Sequence, residues 1–373
     1  MSKKLKNQWS LDHNFMTGIT FGVWLKVLAK NRFYVAPAYW HRGVVITLAS
    51  IANSGFAVIE KLRFGKAIKQ AEIPKAPVFV LGHWRSGTTF LHELLAQDDT
   101  QFQYANTYRV VNPFTFLTTE SFITKALAGL VPPKRPMDNM ELKFSSPQED
   151  ELAPLLMTRK SLYLGMSFPR NTEFYDKYLS FRDVDRAEIE EWKAAFVSFS
   201  KKLMLNDKRT LLLKSPAHTA RIRTILEMFP DARFVHIHRD PYKVFQSQRH
   251  FFDTAGWFTY LQRPIVETID AGILKRHETM YDAYFEDLPL VPKDRICELS
   301  FVDLEMDPAG AIKKIYDSLS LDGYDEFAPK LERYVDSLKG YKKNDFGCLN
   351  EGDKKMVTKH WKRSFETWGY SMD

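Results

Sequence analysis

Cysteine is nearly absent: only Cys297 and Cys348 occur in 373 residues, far apart and outside any metal-ligand spacing. That scarcity argues against a disulfide scaffold and a structural zinc site, and favours a reducing, cytoplasmic location. Long apolar runs are also missing. Phe15–Val27 and Val44–Ala52 are bounded or interrupted by Lys26, Lys30, Arg32 and Arg42, short of the ~20 residues that a spanning helix needs. The sequence therefore predicts neither a signal peptide nor a transmembrane helix, although a basic, aromatic segment suits peripheral contact with a membrane. No internal repeat or low-complexity tract occurs. No charge dominates either: a formal net charge of +7 fits a deep site for an anionic ligand or a solvated basic surface, and is too mild for a nucleic-acid partner.

What is present is a large apolar fraction, 45%, enough for an extensive core. Residues 1–74 read as a helical, aromatic-rich extension packed on a main domain at 75–373. The run Val78-Phe79-Val80-Leu81 reads as a strand buried on both faces, as do Leu211–Leu213, Phe234–Ile237 and Ile296–Leu299. Between the second and third of these, Ala217–Phe229 reads as one helix ended by Pro230-Asp231, which makes a parallel βαβ crossover. The predicted class is α/β, a central parallel sheet with helices on both faces.

Gly82-His83-Trp84-Arg85-Ser86-Gly87-Thr88-Thr89 follows a strand and opens a helix. In that setting successive backbone N–H groups and the helix N-terminus converge on an anion. The glycine spacing matches a nucleotide P-loop, but Thr88 stands where that motif requires lysine. Arg85 supplies the positive charge instead, which suits a 5′-phosphosulfate better than a magnesium-bound triphosphate. A second motif follows another strand: Arg239 at its carboxyl end, and Ser247 two helical turns on. Asp240 and Pro241 read as N-cap and N1 of that helix, and Arg239 can grip a phosphate with its planar fork.

Arg85-Ser86-Gly87-Thr88-Thr89 resembles the 5′-phosphosulfate loop of sulfotransferases that use 3′-phosphoadenosine 5′-phosphosulfate (PAPS), and the Arg239/Ser247 pair resembles their 3′-phosphate site. Trp84 departs from the proline many members carry. The resemblance implies a P-loop-type three-layer domain that moves a sulfuryl group from PAPS to a hydroxyl, releases PAP and requires no metal. It implies adenine stacking for Phe90 and leaving-group stabilisation for Lys214, which closes the strand Leu211–Leu213. It also implies a nucleotide-closing role for the basic loop holding Lys342. The extra N-terminal segment and the stretch from Arg135 to Glu151 resemble the broad bacterial branch.

The base stays open. His218, four residues after Lys214, ranks first on its pKa range. Glu149 and Asp150 rank second, because Ser146-Pro147-Gln148-Glu149 also reads as a helix capping box. His83, beside the loop, is retained as well. Aromatics, 14% of the chain, suit a bulky lipophilic acceptor, a sterol or steroid as in gut-bacterial steroid sulfotransferases, with a sugar hydroxyl or peptide tyrosine second. A homo-oligomer is compatible with all of this. Two rival classes share the loop: a P-loop kinase and a non-catalytic nucleotide-binding protein.

Overall fold

A computed structural model describes residues 5–73, 76–126, 129, 137–138, 140, 143–340 and 346–372. The chain gathers into two compact units, one of Met1–Ile73, Ala105–Asn206 and Phe251–Ile269, the other of Pro74–Tyr104, Asp207–His250 and Asp270–Asp373. The N-terminal segment thus folds together with two later stretches.

In the first unit, α1 (Phe21–Lys30) and α2 (Trp40–Gln70) are helices of 10 and 31 residues. They are tied by the Trp24 indole, which donates to Thr47 Oγ1 at 2.9 Å. The stretch Pro37–Gln70 is long and apolar enough to cross a membrane by length and composition, which corrects the expectation that no segment reaches that length. Arg42 looks like an interruption in the sequence, yet it is buried and hydrogen-bonded, as is Glu60 further along, so the helix runs through both. Arg42 donates to the carbonyls of Ser10, Trp257 and Tyr260, and Glu60 pairs with Lys202.

The second unit holds the sheet. Strands β1 (Val78–Leu81), β2 (Phe102–Tyr104), β3 (Thr210–Lys214), β4 (Arg233–His238) and β5 (Ile296–Ser300) lie in the order β2-β3-β1-β4-β5, all pairs parallel. One face carries Val78, Val80, Leu212, Val235 and Ile237. They pack on α3 (Thr88–Ala96) and on the helix Pro308–Ser318 through Leu91, Leu94, Leu95, Ile312 and Ile315. On the other face Phe79 meets Phe229 and Phe234. This is the α/β, P-loop-type arrangement expected, with helices on both faces of a parallel sheet.

Two local expectations fail. The crossover Ala217–Phe229 is not one helix but a 3₁₀ turn, Pro216–Ala220, and a short helix, Ile222–Met228. Arg221 between them has φ −132°, outside helical space. The capping box fails too. The helix starts at Leu152 and no side chain caps it. Ser146 Oγ instead accepts from Lys143 N at 3.0 Å, and Gln148 N donates to Ala105 O at 2.9 Å.

Candidate active site

The loop between β1 and α3 is shaped by backbone that few side chains tolerate. Gly82 has φ +140°, and a Cβ there would meet Ile237 O at 2.4 Å; Gly87 has φ +103°, and a Cβ would strike the Phe301 ring at 2.3 Å. Arg85 is itself left-handed at φ 71°, a strained state that costs about 1 kcal/mol or more and persists only where neighbours hold it. The neighbours are visible. Ser86 is fully buried, and its hydroxyl donates to His83 O at 2.7 Å. Gly82 N donates to Thr219 Oγ1 at 2.7 Å, so the 3₁₀ turn after β3 anchors the loop. The first N–H groups of α3 lack intrahelical acceptors, and no side chain caps that end. An anion fits there.

Cations converge on the same place. Parallel pairing sets Lys214 beside Val80, so its side chain leaves the sheet on the α3 side. There its ammonium donates to Thr89 Oγ1 at 3.4 Å, although only 1% of the residue is exposed. Arg85 Nε donates to Ser247 Oγ at 2.9 Å, and Arg239 Nη1 donates to Arg85 O at 3.1 Å. The Arg239 guanidinium lies 4.2 Å from the Phe301 ring centroid. Burial, then the nearby Arg85 charge, pushes its pKa below the usual arginine value. Two sequence motifs 162 residues apart thus form one cationic cradle at the carboxyl ends of β1 and β4, where open α/β sheets bind ligands.

Residues 77–326 match the Sulfotransferase family. The chain belongs to the sulfotransferase family. It is 35% identical over 353 residues to the omega-hydroxy-beta-dihydromenaquinone-9 sulfotransferase Stf3 of Mycobacterium bovis and to its counterpart in Mycobacterium tuberculosis, covering 95% of this chain and 90% of each relative. Among solved structures it resembles the sulfotransferase STF9 from Mycobacterium avium, with a TM-score of 0.69 at 17% identity over 94% of this chain and 93% of that one. STF1 from Mycobacterium tuberculosis gives 0.61 at 18% identity over 96% and 94%.

The remaining candidates of this sulfotransferase sit as follows. Thr88 is buried at the start of α3, and Phe90 is half-buried against the core cluster beneath it. Asp240 Oδ1 accepts from Lys243 N at 3.1 Å, the N-cap contact expected before the helix Pro241–Asp253. His218 is wholly buried, its ring edge-on to Phe79 at 5.5 Å, on the opposite sheet face from the one Lys214 leaves. His83 is held by Trp84 O at 2.9 Å, and burial lowers its pKa to about 3, so it is neutral. In the first unit Glu149 Oε2 accepts a hydrogen bond from the Tyr163 hydroxyl, and Asp150 and Glu151 are completely buried. Lys342, and Arg135, Pro136 and Asn139 of the branch-specific stretch, lie outside the described residues.

Sequence reasoning missed His92. It lies one turn beyond Thr89 on α3, is 1% exposed, and neither ring nitrogen has a hydrogen-bond partner among the described residues. Burial first, and the Lys214 charge second, hold its pKa well below the ordinary value. Its offset of three from Thr89 on a helix opened by the loop was the available signal. Thr219 was also passed over beside His218. Among the described residues no cluster of three or more His, Cys, Asp or Glu could hold a metal ion.

Proposed function

We propose that this sulfotransferase moves a sulfuryl group from PAPS to the hydroxyl of a lipophilic acceptor and releases PAP. The observation that carries the donor assignment is the contact of Arg85 with both Ser247 and Arg239. It joins a loop suited to a 5′-phosphosulfate to a fork suited to a 3′-phosphate, and neither a triphosphate nor a free sulfate would need both. Gly82 and Gly87 let the loop pack against Ile237 O and the Phe301 ring, where any side chain would collide, and so hold the backbone in the shape that turns its N–H groups on an anion.

In the reaction the acceptor oxygen forms a bond to sulfur as the sulfur–oxygen bond to the donor phosphate breaks. Negative charge grows on the departing phosphate oxygen. Lys214, buried and beside Thr89, is the cation to meet it, and a preorganised charge in a dry site stabilises far more than one in water. The acceptor proton goes to His218 in this reading. His92 is the rival the structure adds, since it stays neutral with Lys214 nearby, and Glu149 and Asp150 come next.

For the acceptor, Stf3 is named for a hydroxylated dihydromenaquinone, and the high aromatic content suits apolar ligands. A hydroxylated membrane lipid of that kind is therefore our first choice, ahead of the steroid. The test is turnover with radiolabelled PAPS against hydroxylated prenyl quinols, sterols, sugars and tyrosine peptides. Sulfation of a sugar or peptide with every lipid inert would overturn the acceptor class. Equal affinity for PAPS and adenosine 5′-phosphosulfate would overturn the donor site.

A further inference from the structure

The two faces of α2 have opposite characters. Its inner face is fixed by Arg42, whose guanidinium reaches Trp257 O and Tyr260 O at 2.9 Å each, and by Glu60, which pairs with Lys202 and accepts from Thr118 N at 3.0 Å. Its outer face is a stripe of Trp40, Val44, Leu48, Ile51, Val58 and Leu62, all more than half exposed and Leu62 81% exposed. Spacings of three, four and seven keep these side chains on one side, over a length of about 33 Å. Isolated exposed apolar residues are ordinary, but a contiguous stripe this long needs a partner.

Charge says which partner. Residues 1–73 hold eleven lysines and arginines against three carboxylates, a net of +8, so the other 300 residues together carry −1 of the chain's +7. Glu60, one of the three acids, is already neutralised by Lys202. The stripe runs on at helical spacing into exposed Lys66 and Lys69, with exposed Lys61 and Arg63 beside it. Trp9, 76% exposed, packs against His41 at the amino end. Apolar side chains, exposed tryptophans and unopposed lysines match the boundary between acyl chains and anionic headgroups. A second copy of the chain would bring the same +8 against itself.

We propose that the outer face of α2 docks this enzyme on an anionic lipid leaflet, with the helix lying in the interface. It does not cross the bilayer, because Arg42 and Glu60 fix its inner face to protein. The docking is independent of the donor and acceptor readings, and is measured without turnover.

Flotation of the full chain with phosphatidylcholine vesicles, with and without phosphatidylglycerol, tests this. The chain should float with the anionic vesicles and stay behind with the neutral ones. Leu48→Glu with Leu62→Glu should weaken binding by tenfold or more, and Lys66→Glu with Lys69→Glu should do the same. Both double variants should keep the parental melting temperature and PAP affinity, since the altered side chains are exposed. No flotation of the parent, or equal flotation of both variants, overturns the proposal. So does a dimer in analytical ultracentrifugation that Leu48→Glu dissociates, which would assign the stripe to a second copy. Should the leucine variant lose its fold, the lysine pair alone decides.

Discussion

Replacing Arg239 with alanine isolates the 3′-phosphate from everything else the donor offers. In the parent, Arg239 is aimed by its hydrogen bond to Arg85 O at 3.1 Å and by the Phe301 face 4.2 Å away. Burial and the neighbouring Arg85 charge hold its pKa below the usual arginine value, so the site without ligand carries repulsion that a phosphate relieves. A hydrogen bond to a charged group contributes about 1.5–3 kcal/mol, and a two-pronged grip falls near the upper end. At about 1.4 kcal/mol per decade, PAP affinity should fall roughly 100-fold. Adenosine 5′-phosphosulfate lacks that phosphate, so its affinity should barely change, and kcat at saturating PAPS should move much less than donor affinity. Calorimetry of both nucleotides against both proteins gives the full cycle. Loss of the cation–π contact costs about 1 kcal/mol of stability, which a melting curve separates from binding. An equal loss for the two nucleotides would refute the assignment of Arg239 to the 3′-phosphate.

Three other changes follow from the same geometry. Lys214→Ala should lower kcat by about 10²-fold or more with PAP affinity nearly intact, because its charge matters most as the leaving group develops; unchanged kcat at saturating donor would remove it from the chemistry. Removal of the true base should lower kcat by roughly 10²–10⁴-fold, so His218→Asn, His92→Asn and Glu149→Gln measured together, with melting temperatures, identify it by the largest loss in a folded protein. On acidification, His83 (about 3), His92 and His277 are all buried neutral. The unfolded chain therefore takes up protons below the ordinary histidine pKa of about 6.5 while the fold does not. Stability is full above that pH and falls below it, by up to ~1.4 kcal/mol per pH unit for each histidine; a melting temperature flat from neutrality to pH 5 would contradict this burial.

The central strands were legible because a parallel sheet covered on both faces forces continuous apolar runs, as in Val78–Leu81 and Leu211–Leu213. The strand β2 was not, since Phe102-Gln103-Tyr104 carries only three residues and a polar centre. Strand order also escaped, because it depends on which crossovers pack, not on any local pattern. Arg85 and Arg239 were legible because glycine geometry and strand ends are local signals, whereas Ser247, inside the helix Pro241–Asp253, was singled out only by the resemblance to sulfotransferases. The capping box misled for the opposite reason: Ser146 and Gln148 answer to Lys143 and Ala105, partners that a four-residue motif does not reveal. In α2 the sequence counted Arg42 as a break, whereas its hydrogen bonds to the carbonyls of Ser10, Trp257 and Tyr260 make it part of the helix. His92 hid between Leu91 and Leu94 as an ordinary polar position on an amphipathic helix.

On the two proposals together, the positive charge of the chain does two physically different jobs. Arg239 and Lys214 are largely shielded from solvent, and their interaction with an anion is little screened by salt. The surplus of residues 1–73 is mostly exposed, and its attraction to a charged surface falls within a Debye length of about 8 Å at physiological ionic strength. The two therefore separate on a salt axis. Raising ionic strength from about 0.05 M to 0.5 M should release the chain from anionic vesicles, while PAP affinity falls by no more than about tenfold. If PAP binding collapses in parallel with flotation, the donor site draws its affinity from the global field, and the cradle of Arg85, Arg239 and Lys214 does not account for donor recognition.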